Sequence, residues 1–344
     1  MFSKLAFIIL IIFGQVNFSS GFDVSKVTQL FLSQGKVLSS NIKREIIQGL
    51  AEIKPAPLVR KNEIEDPEVQ AKSAVIFDVS TNQILFEKNA RTRYPIASLT
   101  KIMTGALILE NGNLNDVVKI TPQMMTGEDV NVGLRVGEEI KVRDLLYALL
   151  VRSSNDAARA LATHQSGLIE NFVELMNKKA QILGLGDTHF TNPSGLDEKK
   201  RVGYKLNLDN NQELKLTNKI EKSTDNYSTA YDLIKLTNWA LSKNLFSKII
   251  ATQEIKIKSQ DGKITHNLKN TNRLISPRFP AEKYIPPKGV KVLGGKTGFI
   301  DDAGYCLLTV AEKDSHKIIY VVLNSKIRFP ETKKLIKWTT EAYN

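Results

Sequence analysis

Acyl transfer needs a nucleophile, a base to take its proton, donors for the developing oxyanion and groups that hold the substrate. Three short strings of this chain can supply them. Ser98-Leu99-Thr100-Lys101 places a hydroxyl and an amine three residues apart, the spacing that puts both on one face of a helix. Ser153-Ser154-Asn155 adds a hydroxyl and an amide. Lys296-Thr297-Gly298 adds a fixed cation, and a hydroxyl beside backbone that the glycine leaves uncrowded. Any one string alone says little. A serine before an apolar run is usually a helix cap, and a lone Lys-Thr-Gly usually marks a strand end or a turn. All three, in this order along one chain, make a complete set.

The local contexts agree. Pro95 precedes Ser98, and the apolar residues Ile102, Met103, Ala106, Leu107 and Ile108 follow it. Ser98 is therefore expected at the entry of a helix that buries one side, near the positive end of the helix dipole. The histidines His164, His189, His266 and His316 show no metal-ligand spacing. A Ser-His-Asp triad stays open at this point, but it is unnecessary where Lys101 can act as the base. Cys306 is the single cysteine, so no internal disulfide can form, and its run Tyr305-Cys306-Leu307-Leu308 reads as a buried strand. No metal or cofactor is implied.

Ser-x-x-Lys, Ser-x-Asn and Lys-Thr-Gly are the motif set of penicillin-binding proteins and class A β-lactamases. The surrounding strings resemble the D-alanyl-D-alanine carboxypeptidases, the low-molecular-weight penicillin-binding proteins. They are Tyr94-Pro95-Ile96-Ala97, Asn155-Asp156-Ala157-Ala158, Asn192-Pro193-Ser194-Gly195-Leu196, Tyr227-Ser228-Thr229-Ala230-Tyr231-Asp232 and Gly304-Tyr305. The likeness runs over residues 74–196 and 227–338.

That resemblance implies an α/β (α+β) fold of the serine β-lactamase/transpeptidase type, an antiparallel sheet flanked by a helical cluster and terminal helices. It implies a serine-type D-Ala-D-Ala carboxypeptidase that acts on peptidoglycan stem peptides through an acyl-enzyme on Ser98, with β-lactam antibiotics as covalent inhibitors. Lys101 would be the base, its pKa lowered by burial and by Lys296. Ser153, between the two lysines, would relay the proton to the leaving amine. The backbone N–H groups of Ser98 and Phe299 would form the oxyanion hole. Asn155 would hold the substrate amide, and Lys296, Thr297 and Gly298 would line its binding site. Thr297 would bind the terminal carboxylate together with Arg328, placed by alignment back from Lys333-Lys334-Leu335-Ile336-Lys337-Trp338.

Three alternatives remain at this stage. A D,D-endopeptidase would cut cross-bridges with the same residues. A class A β-lactamase would need a glutamate-activated water, and the only similar string, Glu213-Leu214-Lys215-Leu216-Thr217-Asn218, has the wrong spacing. An inactive cell-wall binding protein is disfavoured because every motif residue is intact.

The remaining segments frame this domain. Residues 1–21 read as a secretory signal: Lys4, a short apolar core from Leu5 to Phe13, then Ser19-Ser20-Gly21. Export to the periplasm or the outer face of a bacterial cytoplasmic membrane is the expectation. Residues 22–70 read as a helical extension, with Leu38, Ile42, Ile46, Leu50 and Ile53 near helical spacing, followed by a linker. The catalytic domain is expected over 71–344, with a polar insertion at 197–226 rich in Lys and Asn, including Lys199, Lys200, Asn207, Asn210 and Asn211. Asn226 stands where the family often has histidine. The chain ends soon after Trp338, so no C-terminal β domain or anchor is expected. Net charge is +12. With no nucleic-acid-binding motif, that charge suits an anionic membrane surface or cell wall better than nucleic acid.

Elements that must position the motifs follow from patterning. Ala74–Phe77 and Ile84–Phe86 flank Ser80-Thr81-Asn82 as a hairpin. Helices are expected over Ser98–Glu110, Val142–Arg152, Ile169–Leu183 and Glu331–Tyr343, and late strands at Lys263–Leu268, Tyr305–Ala311 and Lys317–Leu323.

Overall fold

A computed structural model describes residues 55–125, 131–196, 226–277 and 280–344. The chain divides into Met1–Lys54 and Pro55–Asn344. The leader, the helix proposed over residues 38–53 and nearly all of the polar insertion, including the Glu213 string, lie outside the described residues.

The expected hairpin is present as β1 (Ser73–Asp78) and β2 (Gln83–Lys88). With β9 (Val290–Ile300), β10 (Gly304–Lys313) and β11 (His316–Ser325) it makes a five-stranded sheet in the order β2-β1-β11-β10-β9. Every pairing in it is antiparallel. Alternate residues of the central strands serve two separate cores. Val75, Cys306, Leu308, Ile319 and Val321 join one, and Ile76, Leu307, Ile318, Tyr320 and Val322 the other. Both faces are thus buried, which is why these strands read as unbroken apolar runs without alternation.

The first core is the helical cluster: α1 (Lys101–Asn111), α2 (Val142–Tyr147), α3 (Asn155–Ser166), α4 (Ile169–Ile182), α5 (Ala230–Leu241) and α6 (Asn244–Ala251). The second lies under α7 (Arg328–Ala342), through Leu335, Ile336 and Trp338. Residues 55–70, within the stretch read as extension and linker, pack on this same side. Lys61 donates to the Ala342 carbonyl at 2.8 Å, and the Trp338 indole donates to Glu65 at 2.6 Å. Buried Glu331 accepts the backbone N–H groups of Gln70 and Ala71, fastening that segment to α7.

Three short ribbons complete the fold. They pair β3 (Tyr94–Pro95) with β6 (Tyr227–Ser228), β4 (Val117–Lys119) with β5 (Glu139–Lys141), and β7 (Glu254–Lys258) with β8 (Thr265–Lys269). The strand expected at Lys263–Leu268 is β8, and it belongs to this separate ribbon rather than to the main sheet. No described helix is long and apolar enough to cross a membrane.

Candidate active site

Ser98, Lys101, Ser153 and Asn155 stand where helices begin or end, and Lys296 and Thr297 lie within a strand. Ser98 lies in a 3-10 turn, Ala97–Thr100, that runs straight into α1. Ala97, immediately before it, has φ of +46° although it is not glycine. Such a left-handed residue costs of order 1–3 kcal/mol and persists only where its surroundings dictate it. Here they do. Gly195 packs so closely that a Cβ on it would lie 1.9 Å from the Ala97 carbonyl oxygen. On the other side, a Cβ on Gly298 would lie 3.2 Å from the Ser98 nitrogen. Glycine at 298 therefore lets strand β9 abut Ser98, the approach that the expected oxyanion hole of Ser98 and Phe299 would need.

Ser153 ends the turn Ala148–Arg152, of π type, after α2, with φ of +66°, and Asn155 opens α3 two residues later. Lys296 and Thr297 lie on β9, one of the two edge strands of the sheet.

Lys101 is fully buried and its Nζ has three partners: Ser98 Oγ at 3.0 Å, Asn155 Oδ1 at 2.7 Å and the Ser194 carbonyl at 2.6 Å. The Ser194 carbonyl is a partner that sequence reasoning did not assign, although its string was part of the family likeness. A neutral amine has two N–H donors and one lone pair. With the two carbonyl-type oxygens taking the donors, the lone pair faces the Ser98 hydroxyl. Burial lowers the Lys101 pKa to about 7, opposed by the nearby Asp156 carboxylate.

Lys296 is also buried; its Nζ donates to Ser153 Oγ and to the Thr297 carbonyl, both at 2.7 Å. Burial, then Lys101 and Arg328, hold its pKa well below the ordinary lysine value. One sequence expectation changes here. The shift at Lys101 comes chiefly from burial, and the mutual repulsion of the two amines is felt mainly at Lys296. Ser153 bonds to Lys296, while the contacts of Lys101 go to Ser98, Asn155 and Ser194.

Thr297 Oγ1 lies 2.6 Å from Thr271 Oγ1. Thr271 is a second hydroxyl that the sequence did not single out. Arg328 reaches the same strand: its Nη1 donates to the Gly298 carbonyl at 2.7 Å and to Cys306 at 3.4 Å. Burial brings its pKa down to about 10. Arg273, two residues beyond Thr271, stacks on Phe329 and repels Arg328. The Phe299 ring is exposed and stacks on Tyr305 at 4.5 Å. Cys306 is fully buried, with its thiol pushed up to about 11.

The histidines are engaged away from Ser98. His164 meets Asp116, His189 pairs through backbone with Tyr227, His266 meets Glu138 at 2.7 Å, and His316 meets Asp78 at 2.7 Å. The partner of the Ser98 hydroxyl is Lys101.

A family model described as D-alanyl-D-alanine carboxypeptidase, of the S11 peptidases, matches residues 60–327. The chain belongs to this family. The Bacillus subtilis D-alanyl-D-alanine carboxypeptidase DacF is 33% identical over 282 residues, 80% of this chain and 63% of its own length. The Escherichia coli D-alanyl-D-alanine endopeptidase is 28% identical over 280 residues, 79% of this chain and 78% of that protein. The chain thus spans under two thirds of the Bacillus protein and more of the endopeptidase. Among solved structures, the D-alanyl-D-alanine carboxypeptidase of Mycobacterium tuberculosis matches with a TM-score of 0.66 at 25% identity, covering 84% of this chain and 96% of that one. Penicillin-binding protein D2 of Listeria monocytogenes, in its ampicillin-bound form, matches with a TM-score of 0.61 at 27% identity, over 80% of this chain and 99% of that one. The penicillin-binding α+β fold expected from the motifs is the fold found.

Proposed function

We propose that this S11 family member is a serine D-Ala-D-Ala carboxypeptidase that removes the terminal D-alanine of peptidoglycan stem peptides. One observation carries the reading: a buried lysine, with its pKa near neutrality, is bonded to a serine hydroxyl and oriented by two carbonyl oxygens. Ser98 Oγ attacks the carbonyl of the penultimate D-alanine as Lys101 takes its proton. The Ser98 and Phe299 N–H groups receive the oxyanion. The C–N bond breaks, and D-alanine leaves with a proton delivered through Ser153. Water then cleaves the Ser98 ester. Asn155, whose oxygen is held by Lys101, offers its NH2 group to the substrate. Thr297 and Gly298 face the D-alanine end, and Thr297, with Arg328 nearby, receives the terminal carboxylate. That anion favours the charged form of Lys296. β-Lactams, cyclic amides with a carboxylate, would acylate Ser98 in the same way.

A second reading has specific support, since two relatives at 28% identity are named D-alanyl-D-alanine endopeptidases. Purified protein incubated with free pentapeptide muropeptides and with cross-linked dimers separates the two. Release of D-alanine from the monomer supports the carboxypeptidase; cleavage of dimers alone overturns it in favour of the endopeptidase. Ser98→Ala should abolish both reactions and all labelling by fluorescent penicillin. Persistent labelling would displace Ser98 as the nucleophile.

The Lys4-to-Gly21 leader supports export to the periplasm or the outer membrane face. The net charge of +12 supports peripheral contact with anionic lipid. Membrane-fraction immunoblots before and after a salt wash test both.

A further inference from the structure

The side chain of Asn226 makes five hydrogen bonds beside the site. It is 3% exposed. Its Nδ2 donates to Thr100 Oγ1 at 2.9 Å and to the Asn192 carbonyl at 2.8 Å. Its Oδ1 accepts from the Thr191 N–H at 2.6 Å, the Thr191 hydroxyl at 2.8 Å and the Asn192 N–H at 3.2 Å. Its own carbonyl accepts from the Ile96 N–H at 3.1 Å. Asn226 therefore ties the turn that carries Ser98, at Ile96 through its backbone and at Thr100 through its side chain, to the loop that begins at Thr191.

That loop is the one whose carbonyl receives Lys101. Held by Asn226, Asn192 uses its own Oδ1 to accept the Ser194 N–H at 3.1 Å and the Gly195 N–H at 2.7 Å. This aims the Ser194 carbonyl at Lys101 Nζ, 2.6 Å away. Asn192 also donates to Leu196, the last residue before the polar insertion, and Asn226, which closes the insertion, is its one described residue.

We infer that Asn226 is a positioning residue for this chain's acyl transfer: acting through Asn192, it holds the Ser194 carbonyl on Lys101, so that the amine lone pair stays on Ser98. The inference rests on the proposed role of Lys101 as the base. It explains why an amide serves at this position. It is a residue with two donors and two acceptor lone pairs on one rigid plane, and its partners on the two segments include both acceptors and donors.

The test uses full-length protein with Asn226→Ala, Asn226→His and, as control, Ser98→Ala. Acylation by a fluorescent penicillin is followed to saturation, giving the non-covalent constant K, the acylation rate constant k2 and the fraction of molecules labelled. Asn226→Ala should lower k2 by about ten- to a hundredfold while K stays within about twofold. Asn226→His, whose neutral ring keeps one donor and one acceptor, should recover most of the loss. A merely structural residue would instead lower the labelled fraction and the melting temperature, and the surviving molecules would acylate at the wild-type k2. That result overturns the inference.

A second measurement does not depend on activity. Lys101 Nζ, followed by NMR in the free protein, is faced by Lys296 and Asp156 as well as by the carbonyl. Loss of a carbonyl acceptor disfavours the ammonium form, so the titration midpoint in Asn226→Ala should fall by about one pH unit. An unmoved or raised midpoint overturns the inference. Absence of labelling in the wild type would count against the proposed reaction and leave the NMR result to judge Asn226.

Discussion

Lys101 offers the sharpest quantitative test, because its burial makes a signed prediction about pH. The amine must be neutral to accept the Ser98 proton. With a pKa of about 7, half of the free protein is competent at that pH. About one molecule in ten is competent one unit lower, so acylation should fall about tenfold per pH unit below the midpoint and level off above it. Had the ordinary lysine value of 10.5 applied, the competent fraction at pH 7 would be roughly one in three thousand. Burial of this one side chain is thus worth over three orders of magnitude in available base. Lys101→Ala removes the base and should cost about 10²- to 10⁴-fold. Lys101→Arg should not rescue it, because a guanidinium stays charged throughout this range. The assay is the second-order rate of Ser98 acylation by fluorescent penicillin between pH 5.5 and 9, with intact-mass confirmation of the adduct. A rate independent of pH over that span, or near-normal acylation by the arginine variant, would refute Lys101 as the base.

Other expectations follow from the same geometry. Lys101→Met should be more stable than the wild type at pH 7, by an amount that shrinks as pH rises. The folded state binds fewer protons than the unfolded chain between about 7 and 10.5, so the wild type gains stability across that window and the variant does not; paired thermal melts at pH 7 and 9.5 check the sign. Gly195→Ala places a methyl 1.9 Å from the Ala97 oxygen at φ of +74°, so the backbone must move. A loss of about 3 kcal/mol or more and collapse of acylation in the folded fraction are expected, and a wild-type melt would contradict the packing. Arg328→Ala should reduce kcat/KM about 10- to 100-fold for substrates ending in a free carboxylate and little for C-terminal amides; equal losses on both would make Arg328 a brace for Gly298 and Cys306 only.

The motif residues were legible because acyl transfer restricts residue type so strongly that three short strings suffice. The hairpin, the buried strands β10 and β11 and the terminal helix were legible because their patterns are long and regular. Strand β9 was not singled out, although it carries Lys296. Its sequence is broken by Gly294, Gly295 and Gly298, which carry no strand preference. The structure shows what two of them are for: a Cβ at 294 would meet the Ile250 carbonyl at 2.5 Å, and one at 298 would crowd Ser98. Residues that disguise the strand are those that let it touch its neighbours. Helix α3 was hidden differently, since its first residues read as a motif rather than as an element.

What sequence could not supply is the state of the groups it identified. Ser98 and Lys101 are three positions apart in any helix, but a lysine works as a base only if it is buried, and here burial comes from residues scattered along the chain. The same holds for orientation. The oxygen that fixes Lys101 most closely belongs to the backbone of Ser194, which no side-chain motif encodes. It is held there by Asn192 and Asn226, which are 34 positions apart in sequence and meet only in the fold. Residue type fixes which atoms can react, while long-range packing fixes their charge and aim. A variant distant in sequence, such as Asn226→Ala, can therefore be expected to resemble a Lys101 variant in k2 while leaving substrate binding almost untouched.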